Sequence, residues 1–353
     1  MKFRLKKLSL FIILLFILNI ISYAEETKDV KEQKPTSLQR SVSPIFGYDP
    51  TNRYLFGGAY FVKLPEKRGY YLETMVMGST RSGYALKIGY NKWTEEPYSY
   101  EIATAVSNYS DSYFGEGTDT DAENESRIKV FTYVLKPKIK YNFNKAFSAG
   151  TFIDLRGRDE KTEGISARRF PNEVTAGPGV NLTHDLRDNT LSSKSGCYSE
   201  INFSYFPEKL SRRQSTEDFW QSQIDLRAFK TINTRYTFAG RLGAFYSEKD
   251  PTYLFRYSLG GAETLRGYYG NRFRGKKGYL AQAEARIMLD KTVSLVLFAD
   301  AGDITDSGFS PVKTDYGFGF RVGLPPDHLM KLRVDIGIGK DQGGLFVTFG
   351  EAF

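Results

Sequence analysis

The chain has 353 residues, with 49 Lys and Arg against 41 Asp and Glu, 24 Tyr, 27 Phe and one cysteine. The lone Cys197 excludes an internal disulfide, and no stretch beyond residue 24 is apolar for long enough to form a transmembrane helix. With the four bases of the first 24 residues set aside, the balance is 45 − 41 = +4, too mild to argue for nucleic acid, and no interleaved basic–aromatic patch points there.

The first element reads as an address. Lys2, Arg4, Lys6 and Lys7 precede an apolar run from Leu8 to Ile21, and Ser22-Tyr23-Ala24 ends on a small residue. A basic start, a short apolar core and a small residue at the cut describe a secretory signal peptide over residues 1–24. An uncleaved membrane anchor would need a longer run. Residues 25–40 are polar without a hydrophobic period and read as a disordered periplasmic tail. Residues 41–353 form the remaining domain.

Within it, apolar and polar residues alternate. Val42 to Tyr48 is a short first strand interrupted by Pro44. Tyr84, Leu86, Ile88 and Tyr90 alternate with Lys87, Gly89 and Asn91; Leu135, Ile139 and Tyr141 alternate with Lys136, Lys138 and Lys140. Tyr279 to Leu289 places Ala281, Ala283 and Ala285 against Gln282, Glu284 and Arg286. Val293, Leu295 and Leu297 share a face opposite Ser294 and Asp300, and Tyr316 to Val322 and Leu332 to Ile338 repeat the pattern with Arg321, Arg333 and Asp335. Successive strand residues point to opposite faces, so each segment has one apolar and one charged face.

A soluble sandwich also alternates, but no helix or second sheet is available here to cover the apolar faces. Lipid outside and a wet, charged lumen inside resolve this without an unpaired edge. Trp93, Tyr98, Tyr141, Trp220 and Tyr236 lie near strand ends, as an interfacial girdle requires. The fold class is therefore all-β: a transmembrane antiparallel β-barrel in the cell outer membrane.

About sixteen strands fit between Val42 and Phe353. If the first strand leaves the periplasm, the long polar segments Asp111–Ser126, Gly157–Asn172, Pro207–Glu217 and Asp250–Gly278 all fall outside the cell, the last as the sixth loop. The tight connections near Asn144, Asn233 and Asp290 fall inside. Pro178 implies a bulge or local break in its strand.

Several motifs stand in this frame. Pro44-Ile45-Phe46-Gly47-Tyr48-Asp49-Pro50 is followed by Leu55-Phe56-Gly57-Gly58-Ala59. Asp185-Leu186-Arg187-Asp188-Asn189 leads to Gly196-Cys197-Tyr198. Leu265-Arg266-Gly267-Tyr268 sits in the Gly-rich sixth loop, and Phe298-Ala299-Asp300-Ala301-Gly302 and a closing Leu345 to Phe353 complete the set. In this order they resemble the BamA/TamA-type outer-membrane assembly superfamily, which includes the two-partner-secretion transporters.

The resemblance implies that the sixth loop folds into the barrel and that Arg266 meets acidic groups on strands twelve and thirteen, for which Glu284 and Asp300 are the matching residues. A guanidinium between two carboxylates makes charge-assisted, bidentate hydrogen bonds, and Gly260, Gly261 and Gly267 suit a tight backbone path. A structural cluster without further function fits the same residues. The resemblance also implies a weak seam between first and last strands. Pro44 and Gly47 at one edge and Gly343, Gly344 and Gly350 at the other are its candidate residues, though a closed seam with a bend fits them too. Phe353 is similar to the aromatic signal by which such barrels are themselves inserted.

Members of that superfamily that insert or secrete proteins carry periplasmic repeat domains, for which residues 25–40 are too few. The expected partners are outer-membrane lipid, client outer-membrane or secreted polypeptides, and a separate periplasmic repeat protein. His184 and His328 fall at periplasmic turns, so no enzymatic site is expected; neither is a cofactor or a metal, for want of paired Cys/His spacing. The alternative function is a passive or narrow pore.

Overall fold

The computed structural model describes residues 39–353 apart from 50, 64–69, 93–96, 162–171, 213–216, 309–310 and 325–327. The signal peptide, most of the polar tail and Trp93 lie outside the described residues. Sixteen strands make the wall. They are β1 (Gln39–Asp49), β2 (Arg53–Lys63), β3 (Tyr70–Ser79), β4 (Tyr84–Lys92), β5 (Tyr98–Tyr113), β6 (Ser126–Asn142), β7 (Phe147–Lys161) and β8 (Glu173–Asp185). The second half comprises β9 (Gly196–Phe206), β10 (Phe219–Ile232), β11 (Tyr236–Ser247), β12 (Lys277–Met288), β13 (Val293–Thr305), β14 (Lys313–Gly323), β15 (Lys331–Gly339) and β16 (Gly343–Phe349).

Each strand pairs antiparallel with the next, from β1 through β16. Gln39 and Arg40, assigned to the polar tail by composition, already belong to β1, paired with Lys63 and Val62. The barrel is nearly closed. β1 and β16 lie side by side, yet among the described residues no hydrogen-bonded register joins them.

The parity of the strands sorts the side chains. On β1, Val42, Pro44 and Phe46 are exposed outward while Ser43 and Ile45 are buried; on β12, Gln282, Glu284 and Arg286 are buried inside. An outer band of Val180, Leu182, Ile201, Phe238, Leu242 and their neighbours stays exposed on the wall, which is where hydrocarbon would cover it. Aromatic residues mark both rims. At the turn end Tyr98, Tyr141, Phe143, Phe147 and His184 run edge to edge around the wall, with ring centroids 5.1–6.4 Å apart. At the loop end Phe203, Trp220 and Tyr246 stack at 5.4 and 5.2 Å. From Tyr236 to Tyr246 on β11, ten steps of about 3.3 Å at a tilt near 40° span about 25 Å, the height of a barrel's apolar band.

Pro178 lies within β8, opposite Ile153. The ladder between β8 and β9 ends one residue away, at Gly179 and Ser204, and β8 pairs farther up with the short strand Ser211–Arg212. A proline has no N–H to donate, so the local break has a physical cause. β7 continues to Lys161, which shortens the loop assigned to 157–172.

Candidate functional site

The loop between β11 and β12 does not leave the barrel. Tyr257–Leu259 pairs with Phe273–Gly275 as a small hairpin, and Gly260 and Gly261, with φ of +107° and +100°, turn the chain back on itself. Leu259, Leu265, Tyr268 and Phe273 pack with Leu280 of β12 and Ile304 of β13 into a buried apolar cluster. That burial seats the loop against the inner wall and carries Arg266 with it.

Arg266 is completely buried. Its Nε and Nη2 donate to the two carboxylate oxygens of Asp300, both at 2.8 Å, its Nη1 donates to Glu284, and its guanidinium lies 3.7 Å from the Phe298 ring centroid. Burial works against a charged guanidinium, but the bonds to Asp300 and the charge of Glu284 outweigh it and hold Arg266 firmly protonated. Gln282 Nε2 completes Asp300 at 3.3 Å.

The cluster extends farther than three residues. Glu284 also accepts from Arg286 Nε at 2.7 Å and stands 3.7 Å from Arg321. Arg321 binds Asp335 at 2.5 Å and Glu351 at 3.0 Å, and Arg333 reaches Thr348 at 2.7 Å and Glu263 of the loop. Arg286, Arg321 and Asp335 all stand on the polar faces of their strands, so parity alone could have added them. Phe298 carried no such signal, because an aromatic on an inner face reads as packing.

A second set of contacts holds the loop from above. Asp111 at the end of β5 accepts from Arg274 (2.6 Å), Tyr253 (2.7 Å) and Asn271 (3.3 Å). Arg272 donates to the side chain and the carbonyl of Thr120 at 2.6 and 2.5 Å, and Thr118 bonds Asp303 at 2.5 Å. The segment between β5 and β6 thus closes over the inward loop.

The seam residues divide into two groups. Pro44 faces outward on β1, and Gly47 lies against β16, where a Cβ would stand 2.8 Å from the Val347 carbonyl oxygen. Gly344 has a different role from the flexible point expected of it. It pairs with Gly337, and a methyl group on either would strike the carbonyl oxygen of Arg266. Only glycines let the loop tip rest directly on β15 and β16. Gly343 sits at the start of β16, where a Cβ would make only an ordinary contact with the Gly337 carbonyl at 3.5 Å.

One further expectation needs correction. Gly350 is not part of the last strand: β16 ends at Phe349, and Gly350 takes a φ of +84° that turns the chain inward. Phe353 is buried in the lumen beside Phe229 and Ala239, and Glu351, two residues before it, binds Arg321. His184 lies at the turn end of β8, and His328 lies in the turn before β15 with Nδ1 3.0 Å from the Gly323 carbonyl.

The fold is similar to solved barrels. BamA from Haemophilus ducreyi lacking POTRA domains 1–3 superposes with a TM-score of 0.60 at 13% identity, covering 89% of this chain and 70% of that one. CdiB from Acinetobacter baumannii gives 0.56 at 10% identity, covering 89% and 64%, and CdiB from Escherichia coli gives 0.56 at 12%, covering 90% and 68%. No curated protein matches the sequence. Residues 67–345, well over half of the chain, match the Omp85 superfamily domain, and the protein therefore belongs to the Omp85 superfamily.

Proposed function

We propose that this barrel sits in the outer membrane and aids the insertion or translocation of other polypeptides, with Arg266 holding the sixth loop in the lumen and the β1–β16 seam as the labile edge. One observation carries the reading: the two edge strands lie side by side without a ladder. Unpaired N–H and C=O groups at such an edge are a template for an incoming strand. The walls beside the seam are also short. β15 has 9 residues and β16 has 7, against 17 in β6.

In this reading the partners are outer-membrane lipid, client polypeptides with strand-forming segments, and a separate periplasmic protein with repeat domains that delivers them. The test places cysteines at Gly47 and Thr348, which share the lumen face on the two edges, in a Cys197→Ser background, oxidises them, and follows client insertion into vesicles. Insertion should fall to background when the seam is bridged and return on reduction, while heat-modifiable migration stays unchanged. Undiminished insertion through a bridged seam refutes the mechanism. The competing reading, a passive or narrow pore, has the charged lumen in its favour. Large, steady planar-bilayer currents from the intact protein would support it.

A further inference from the structure

Beyond Phe349 the chain leaves the wall and crosses into the lumen. Gly350 turns with its left-handed φ, and its N–H donates to the Lys331 carbonyl at 2.8 Å. Glu351 accepts from Arg321 Nε at 3.0 Å, stands 3.9 Å from Arg286 Nε, and receives Ser192 Oγ at 3.4 Å. Ala352 and Phe353 are buried against Phe229 of β10 and Ala239 of β11, the two phenylalanine rings 6.3 Å apart. Arg286 Nη2 reaches the Phe353 backbone oxygen at 3.4 Å, with its guanidinium 5.6 Å from that ring.

We propose that the inner wall formed by Phe229, Ala239, Arg286 and Arg321 is a peptide-binding site, filled here by the chain's own Glu351-Ala352-Phe353, and that it accepts a segment of another polypeptide with the same acidic–small–aromatic chemistry. The site has the parts that such recognition needs: two cations for a carboxylate, an apolar cleft for a ring, and a donor for a backbone carbonyl. The resident segment belongs to no ladder, so its contacts are exchangeable without breaking the wall. Departure of Glu351 also strands no bare cation. Arg286 keeps Glu284 at 2.7 Å, and Arg321 keeps Asp335 at 2.5 Å. The covering turn at 186–195 touches this region through two long contacts, Ser192 to Glu351 at 3.4 Å and Arg286 to the Ser193 carbonyl at 3.5 Å.

The probe is an acetylated, amidated peptide of sequence Gly-Glu-Ala followed by photoreactive benzoylphenylalanine. It is offered to the intact full-length barrel and to a full-length Glu351→Gln/Phe353→Ser variant whose own segment is weakened. Heat-modifiable migration reports the fold of each. Cross-linking should map to β10 and β11, rise at least tenfold in the variant, and fall at least tenfold when the peptide carries Gln in place of Glu. Adding Phe229→Ala should abolish it. No cross-link in the folded variant, equal labelling by the Gln peptide, or labelling elsewhere on the chain would each overturn the proposal. The seam-bridged protein should still bind the peptide, so this site and the seam mechanism fail separately.

Discussion

Replacing Arg266 by Ala removes two hydrogen bonds to Asp300, one to Glu284, and the contact over Phe298. The losses are unequal. Glu284 keeps Arg286 at 2.7 Å and Arg321 at 3.7 Å, whereas Asp300 keeps Gln282 at 3.3 Å and stands opposite the carboxyl of Asp315. The penalty therefore falls on one stranded carboxylate. Breaking a buried pair from one side costs about 3–5 kcal/mol, and the ring contact adds about 0.5–2 kcal/mol. Arg266→Ala should accordingly lose about 3.5–7 kcal/mol. Arg266→Lys should lose less, since it keeps the charge but cannot make the two-pronged bond. The diagnostic variant is Arg266→Ala/Asp300→Asn, in which the stranded group is neutral; it should recover about 1–3 kcal/mol relative to Arg266→Ala alone. Urea unfolding in lipid vesicles, followed by tryptophan fluorescence, measures all four proteins. An Arg266→Ala loss below about 0.5 kcal/mol, the scatter of an ordinary surface substitution, would refute the reasoning. So would a double variant less stable than the single one.

Gly344→Val should collide with the Arg266 carbonyl and cost about 1–3 kcal/mol as the loop tip shifts, exposing the loop to limited proteolysis. Gly343→Val, whose nearest neighbour is the Gly337 carbonyl at 3.5 Å, should behave as wild type in the same digest. Asp111→Ala removes the acceptor for Arg274, Tyr253 and Asn271 and should free the upper part of the loop, read as faster amide exchange over 253–275 with the wall unchanged. Burial would push the Glu351 carboxyl up, but Arg286 and Arg321 outweigh it and hold it below the usual range. A depressed folded value means that the stabilisation is present above the unfolded pKa of about 4.3 and is lost as pH falls through the folded value. The inward segment should therefore come loose in acid below about pH 4. Fluorine NMR of a fluorinated Phe353 would detect this, and Glu351→Gln should loosen the segment at neutral pH.

The wall was legible because its two faces differ in charge along every strand. Parity on β12 and β13 already put Glu284 and Asp300 in the lumen, and the structure brings Arg266 to both. What parity could not reveal was contact between distant segments. Asp111 is 163 residues from Arg274, and nothing local marks it as the anchor of the sixth loop. Glycine was legible as a signal but not in its meaning. Gly344 suggested a loose strand, while its reason is the backbone lying across it, and Gly350 suggested a flexible strand, while it turns the chain out of the sheet. The inward course of Phe353 could not be read locally either, because it depends on Glu351, two positions earlier, meeting Arg321 from another strand.

The loop tip and the seam are mechanically one feature. Among the described residues β16 has a ladder on its β15 side and none toward β1, so one edge of the strand lacks the hydrogen bonds that normally hold it. What remains comes from the lumen. The Arg266 backbone rests on the Gly337–Gly344 pair, Glu263 binds Arg333, and Tyr269 N–H donates to Gln342 at 3.3 Å. Each of these contacts joins the sixth loop to the β15–β16 hairpin and none to β1. The loop therefore steadies the hairpin from inside while leaving its free edge open. A group that weakens the Arg266 cluster acts on the edge strand without touching it, because the strand has no second ladder to compensate. If the seam works as proposed, the lock in the lumen and the labile edge depend on each other: without the loop, β16 would rest on its seven paired residues with β15.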